Sequence, residues 1–415
     1  MSVNPLAAPL TLPCGVVLSN RLCKAAMSEG MSDADGRSTP RLEALYRRWA
    51  RSGAGLLLSG NIQVDRWHLE RPLNVIVDDD AGMAPLQRLA AAGVSGGAQF
   101  WAQISHTGRQ VHALINPAPL APSDVEIEVI RGVGFDFAAP KAMTEADIQR
   151  AIQQFASAAL RVKAAGFTGV QLHAAHGYLI SQFLSPHSNR RTDRWGGALE
   201  NRFRFLLETL RAVRAAVGPA FPMAIKLNAS DFMKGAFTLA DCAELVKRLN
   251  DTSLDLLELS GGSLEQPKQV GVTIRDEGQD KIPESTRKRE AYFIGFAGDL
   301  KAMATMPVMV TGGFRTVSGM VEALEHGELD VVGIGRPMIA DPETPKKIFS
   351  GEIQKTLTPE DNVHLLHLLS WNNLQLERLA DGLDPDLALT GETAAGRFTE
   401  IETRNFQALL QRRSV

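Results

Sequence analysis

Short apolar runs recur along the chain, and most are followed by stretches in which apolar residues return every three or four positions. The runs fall at Leu22–Met27, Leu56–Ser59, Gln99–Ile104, Gly169–His173, Met223–Leu227, Leu256–Leu259, Val308–Val310 and Val331–Ile334. Runs that are apolar on both faces suit parallel strands covered by helices. Eight of them alternating with helices predict an α/β fold in which the sheet closes into a (β/α)8 barrel. One intervening stretch carries its own boundary signals. Thr144 precedes an acidic first turn as an N-cap, and Met143 and Ile148 stand where a hydrophobic staple would place them. Ile148, Ile152, Phe155, Ala159 and Val162 then form one stripe, and Gly166 provides the stop. Thr238 with Asp241 repeats the capping pattern. A doubly wound open sheet is the alternative, but no GxGxxG follows an early strand.

The 415 residues exceed a minimal barrel. Residues 106–143, rich in Pro and Gly, are placed to cap the mouth. Residues 261–290 form a polar loop after the sixth strand. We therefore divide the chain into a barrel over 1–350 and a helical extension over 351–415, packed on the barrel or on a neighbouring subunit. The run Leu365, Leu366, Leu368, Leu369, Trp371 is too apolar for a disordered tail. Lys and Arg total 44 against 47 Asp and Glu, a balance that supports neither a nucleic-acid nor a membrane-surface partner. Cys14, Cys23 and Cys242 are widely spaced, which argues against a disulfide framework, a zinc ribbon or an iron–sulfur cluster and suits a reducing compartment. With no signal-peptide pattern and no long apolar span, the expectation is a cytoplasmic protein acting on a small molecule, with homo-oligomerisation left open.

Several strands end in polar or Gly-rich residues, and in this architecture those ends build the active-site face. After the fourth strand come His173-Ala-Ala-His176-Gly-Tyr178. Two neutral imidazoles, each with one N–H, can polarise a carbonyl or nitro oxygen, and the phenol is a candidate proton donor. A metal reading with His187 as third ligand is the lesser alternative, since the pair leaves a strand and no HExxH is present. Thr311-Gly312-Gly313 and Gly335-Arg336 follow the last two strands, where barrels commonly hold phosphate on backbone N–H groups, with an arginine adding a charge-assisted donor. Gln103 and Lys226 lie on strands facing the mouth and suit the edge of a polar heterocycle. Lys226 also reads as a Schiff-base lysine or as a salt-bridged core lysine.

As a set, these residues resemble the Old Yellow Enzyme family of FMN-dependent ene-reductases. The likeness runs from Asn20-Arg21 to Gly335-Arg336-Pro337. It includes NRLCKAAM, LLLSGN, Gln103 followed by Ile-Ser-His106-Thr-Gly-Arg109, HAAHGYL, Phe183-Leu-Ser-Pro, Asn189-Arg-Arg191-Thr-Asp193, and Gly196-Gly197 with Glu200-Asn201-Arg202. The resemblance implies FMN as cofactor and NADH or NADPH as hydride donor. It implies that Ala25, Ala26, Met27 and Ser28 run past the flavin, that Asn61 and Gln103 contact its ring, and that Lys226 lies near N1 and O2. Gly312, Gly313, Gly335 and Arg336 would hold the phosphate. His173 and His176 would bind the oxygen of an activated alkene, which takes hydride from flavin N5 and a proton from Tyr178. The chain departs from the common pattern at Ala26 (for Pro), Ser28 (for Thr or Cys), Gly30 (near a usual Tyr), Trp195 (for Tyr) and Lys226 (for Arg), the last removing a bidentate fork. Relatives with an iron–sulfur cluster and further nucleotide-binding domains are set aside, because no cysteine cluster follows residue 335. The rival readings are a flavin-binding redox sensor or interaction protein, and a lyase using Lys226.

Overall fold

The computed structural model describes residues 4–128, 136–268 and 294–413. Eight parallel strands among the described residues close into a barrel: β1 (Leu22–Lys24), β2 (Leu56–Gln63), β3 (Gln99–Ser105), β4 (Gly169–Ala174), β5 (Met223–Asn228), β6 (Leu256–Ser260), β7 (Val308–Thr311) and β8 (Val331–Ile334). Each pairs with the next, and β8 returns to β1 with Val332 opposite Leu22, so the sheet keeps no free edge. The outer helices are α1 (Pro40–Ala50), α2 (Met83–Val94), α3 (Glu145–Ala165), α4 (Leu199–Val217), α5 (Leu239–Leu249), α6 (Ile294–Met303), α7 (Val317–Glu325) and α8 (Thr344–Ser350). The (β/α)8 expectation therefore holds.

The caps read from sequence form as expected. In α3 the Asp147 N–H donates to Thr144 Oγ1 and the Thr144 N–H donates to Asp147 Oδ2; α5 repeats this with Thr238 and Asp241. Gly166 ends α3 in the left-handed region, and the apolar stripe of α3 is buried against the barrel.

Two strands differ from expectation, and both differences shape the mouth. β1 stops at Lys24, so Ala26, Met27 and Ser28 leave the sheet and line a cavity. β2 continues to Gln63, with a register shift between Leu58 and Asn61 that breaks the strict alternation of faces.

The extension folds as α9 (Leu365–Ala380) and α10 (Gly391–Arg413). Arg41 of α1 pairs with Glu377 of α9 and with Asp381 at its C-cap, both at 2.6 Å, and Arg412 of α10 pairs with Asp35 at 2.7 Å. Leu368 and Trp371 are buried in a small cluster with Val363 and Ala394. Leu365, Leu366 and Leu369 are exposed, because five apolar residues in seven cannot share one helix face. Between β3 and α3, two short stretches, Leu120–Ala121 and Lys141–Ala142, pair in parallel. A buried ion pair, Arg109 to Glu265 at 2.5 Å, ties this segment to the loop after β6. Of the polar 261–290 loop, residues 269–290 lie outside the described residues. No helix among the described residues is long and apolar enough to cross a membrane.

Candidate active site

The turn after β4 is held in an unusual conformation. His176 has φ 60°, and its N–H donates to Asn228 Oδ1 at the end of β5. For a residue with a Cβ this costs of order 1–3 kcal/mol and persists only where surroundings over-determine it. The result is a tight aromatic cluster. The His173 and His176 rings lie 5.1 Å apart at 75°, and the Tyr178 ring lies 4.8 Å from His173 at 88°.

Both imidazoles are neutral at ordinary pH. Burial pushes His173 well below its usual value, helped by the neighbouring imidazole and the Lys226 charge. Burial, then Lys226, pushes His176 down to about 3. The Ala175 N–H donates to His173 Nδ1, which leaves the proton on Nε2. Ser260 Oγ lies 2.8 Å from His176 Nε2, where a hydroxyl can donate or accept, so either ring nitrogen of His176 can carry its proton.

Below this cluster a polar chain crosses the barrel interior. Gln103 Nε2 donates to Gln171 Oε1, and Gln171 Nε2 donates to Glu258 Oε2, both at 2.7 Å. Glu258 Oε1 lies 2.9 Å from Lys226 Nζ, and both side chains are buried. Lys226 is thus held in a buried pair with a carboxylate, as the salt-bridged reading expects.

The opposite side of the mouth carries Glu70. Its Oε2 accepts from Ser28 Oγ at 2.5 Å and from Asn61 Nδ2 at 2.6 Å. Burial pushes the Tyr178 phenol well above its usual value; the Glu70 carboxylate pushes it the same way by charge and hydrogen bonding, while Asn61 opposes. Beneath, Glu29 Oε1 accepts the Gly60 N–H at 3.1 Å and the Tyr46 hydroxyl. Lys24 Nζ donates to Leu58 O at 2.8 Å and sits 4.1 Å from the Trp49 ring; burial lowers its ammonium to about 8.

One cavity gathers most of the expected site. Ala26, Met27, Ser28 and Asn61 line one side, and Gln103, His173, His176, Tyr178 and Lys226 the other, with Glu70 added. Ala25 lies below it, its N–H bonded to Ile334 O. Gly312, Gly313, Gly335 and Arg336 are not part of this lining. They lie at the neighbouring ends of β7 and β8, where the Met27 side chain reaches beside Gly335.

A scan of family models matches residues 5–355 to the NADH:flavin oxidoreductase / NADH oxidase family. The chain belongs to that family. It is an NAD(P)H-dependent flavin oxidoreductase, and FMN is the family's cofactor. The Old Yellow Enzyme likeness read from the motifs is the same assignment. The chain is 36% identical to the NADH-dependent flavin oxidoreductase iliE of Neonectria sp. (strain DH2) over 81% of its length, and spans 46% of that relative. It is 35% identical to the NADH-dependent flavin oxidoreductase nadA of Aspergillus parasiticus, covering 92% of this chain and 86% of that one. Morphinone reductase in complex with tetrahydroNAD superposes with a TM-score of 0.70 and 27% identity, covering 85% of this chain and 93% of that one.

The oxidoreductase's residues fit a bound flavin nucleotide. Asn61 Oδ1 in the cavity and Thr311 Oγ1 at the root of the glycine turn are buried without a hydrogen-bond partner, a costly state that a polar ligand relieves. Gly312 (φ 116°) and Gly313 (φ 95°) hold a backbone that side chains rarely adopt, which suits close approach of a phosphate to main-chain N–H groups. Arg336 and Arg315 both meet the Glu360 carboxylate there, Arg336 at 3.5 Å.

Among the described residues, Asp65, His68 and His106 are close enough to share a metal. Hydrogen bonds already occupy much of this trio. His68 Nδ1 meets Asp65 Oδ1 at 3.0 Å, its Nε2 accepts the Leu120 N–H, and His106 Nδ1 accepts the Gly108 N–H. His187 lies 3.4 Å from Glu265 and outside the His173–His176 cavity.

Sequence reasoning missed Glu70, Ser260, Glu258, Gln171 and Glu360. Glu258 and Gln171 did leave a signal, as polar residues inside otherwise apolar strands. Glu70 and Glu360 lie outside the strands and had none. At Gly30, the Arg71 guanidinium carbon lies 2.9 Å from where a Cβ would stand, so Arg71 fills this neighbourhood.

Proposed function

We propose that this oxidoreductase reduces activated C=C bonds of α,β-unsaturated carbonyl or nitro compounds. The observation that carries the reading is the convergence of two neutral imidazoles and a phenol on one cavity at the barrel mouth. FMN, when bound, would supply the hydride chemistry that links NAD(P)H to the substrate β-carbon. Ala25 to Ser28, Asn61, Gln103 and Lys226 hold the ring system, while Gly312, Gly313, Gly335 and Arg336 hold the phosphate. His173 Nε2–H and an imidazole N–H of His176 donate to the carbonyl or nitro oxygen and make the β-carbon electrophilic. Tyr178 gives its hydroxyl proton to the α-carbon. The nicotinamide donor uses the same cavity before the alkene enters, consistent with the tetrahydroNAD complex of morphinone reductase.

The test is Tyr178→Phe, followed by stopped-flow absorbance of the flavin in both half-reactions. Reoxidation by cyclohexenone should slow by up to roughly 10²–10⁴-fold, the contribution of a positioned general acid. Flavin reduction by the nicotinamide should hold its rate, because it takes no proton from the phenol. Equal enone reoxidation in parent and variant removes Tyr178 from the mechanism.

A further inference from the structure

We propose that Glu258, buried inside the barrel and not part of the cavity lining, is a positioning residue that sets the reduction potential of the bound flavin by offsetting the charge of Lys226. The inference rests on the reading that Lys226 and Gln103 hold the flavin ring. Glu258 on β6 and Lys226 on β5 are register partners across the two strands, and Gln103 on β3 and Gln171 on β4 are partners in the same way. Charged groups persist in a barrel interior only where partners repay their lost hydration. Here four polar side chains repay one another.

Two contacts hold the Glu258 carboxylate, and they differ in kind. Gln171 Nε2 donates to Oε2 at 2.7 Å, a directed hydrogen bond. Lys226 Nζ lies 2.9 Å from Oε1, yet Oε1 accepts no aligned hydrogen bond among the described residues. Lys226 therefore meets the carboxylate by charge, and its N–H groups remain for a ligand in the cavity that Lys226 lines. Gln171 Oε1 in turn accepts from Gln103 Nε2, which leaves Gln103 Oε1 to the cavity as an acceptor. Glu258 thus stands behind both polar groups at this edge of the cavity.

The effect on a flavin follows from charge. The oxidised ring is neutral, and hydride uptake leaves it with one negative charge. A cation beside the ring favours the reduced form, and a carboxylate behind that cation opposes it. Lys226 backed by Glu258 acts on the ring as a dipole, weaker than a full positive charge. Glu70, the carboxylate in the cavity lining, meets Ser28 and Asn61 instead, so the Lys226–Glu258 pair can be varied separately.

The experiment measures the two-electron potential of the holoenzyme against a reference dye at one pH, for parent, Glu258→Gln and Glu258→Asp. FMN affinity is measured by fluorescence quenching for parent and Lys226→Met. Glu258→Gln keeps the size and an acceptor for Gln171 while removing the opposing charge. Reduced FMN should gain about tenfold in affinity over oxidised FMN, an upward shift of about 30 mV. Glu258→Asp keeps the charge one methylene farther from Lys226 and should rise by a smaller step. A parent or lower potential in Glu258→Gln overturns the inference, and so does an Asp variant that rises as far as Gln, which marks a packing effect. If Glu258→Gln does not retain FMN, Glu258→Asp decides, and a parent potential there overturns the inference. Lys226→Met should weaken FMN binding by removing its N–H donors. Parent affinity in Lys226→Met places the ring away from Lys226, and the reading of the flavin site then falls together with the inference. Weakened binding in Lys226→Met beside a parent potential in Glu258→Gln overturns the role of Glu258 alone.

Discussion

On the side of the mouth built by β4, β5 and β6, His173 and His176 are kept neutral by burial, and each has one nitrogen held by a fixed partner, Ala175 N–H or Ser260 Oγ. Lys226 there is matched by Glu258. On the side built by β1, β2 and the loop reaching Arg71, a carboxylate stands in the cavity among hydroxyl and amide donors. That loop is bound to the extension through Arg71, Asn373 and Glu402. The first side offers donors whose protonation does not change with pH, as binding an oxygen requires. The second offers a carboxylate whose place is set by the donors around it and by a loop tied to the extension.

The largest effect should come from breaking the first side outright. Phenols with a para electron-withdrawing group should bind as phenolates over the oxidised flavin and give a long-wavelength charge-transfer band. Each imidazole N–H to that anion is a charge-assisted hydrogen bond worth roughly 1.5–3 kcal/mol. His173→Ala with His176→Ala should therefore weaken binding by about 10²–10⁴-fold and abolish the band, with flavin retained. Unchanged phenol affinity in the double variant makes these histidines structural. Lys226→Met should follow in size. It strands Glu258 inside the barrel, and breaking a buried pair from one end costs about 3–5 kcal/mol. The urea midpoint should drop accordingly, and adding Glu258→Gln should recover part of the loss.

How much of this was legible differs between the two sides for a physical reason. The eight strands announced themselves because parallel barrel strands are apolar on both faces. His173, His176 and Tyr178 lie in one short segment, so sequence adjacency carried the spatial cluster. Glu70 shares the cavity with Tyr178, 108 positions away in sequence, and Glu402 reaches Arg71 across 331. Nothing local to either residue marks such a contact. The seven-residue apolar run at 365–371 indicated packing but gave no face, and only the helix phase puts Leu368 and Trp371 inward and Leu366 out.

A smaller effect concerns acid. The folded values of His173 and His176 lie below the unfolded 6.5. Between those limits the unfolded chain binds more protons, so stability rises with pH and is lost as pH falls below 6.5. The slope is about 1.4 kcal/mol per pH unit for each histidine. Replacing either with Asn should flatten the fall in urea midpoint between about pH 7 and about pH 5. An unchanged slope means that the imidazole is not held neutral.

The smallest effect tests whether the extension serves only the second side. Arg71 donates to Glu402 and Asn373 of the extension, and its guanidinium lies 3.5 Å from the Ser28 and Glu29 carbonyl oxygens. It thereby fixes the backbone that carries Ser28, a donor to Glu70. Glu402→Gln keeps the shape and removes one charge from a partly buried pair, so stability should fall by no more than about 1 kcal/mol. Loosening Arg71 should let Ser28 and Glu70 shift together, and enone reoxidation should slow by up to about fivefold on that energy scale. Phenol affinity should stay at the parent value, because His173, His176 and Ser260 make no contact through Arg71. Measuring both on one preparation separates the sides. A parallel loss of phenol affinity would mean that the mouth responds as one unit, and the division between a fixed binding side and a side braced by the extension would fail. Unchanged reoxidation with an intact phenol site would instead show that the Arg71–Glu402 pair holds the extension in place without reaching the carboxylate.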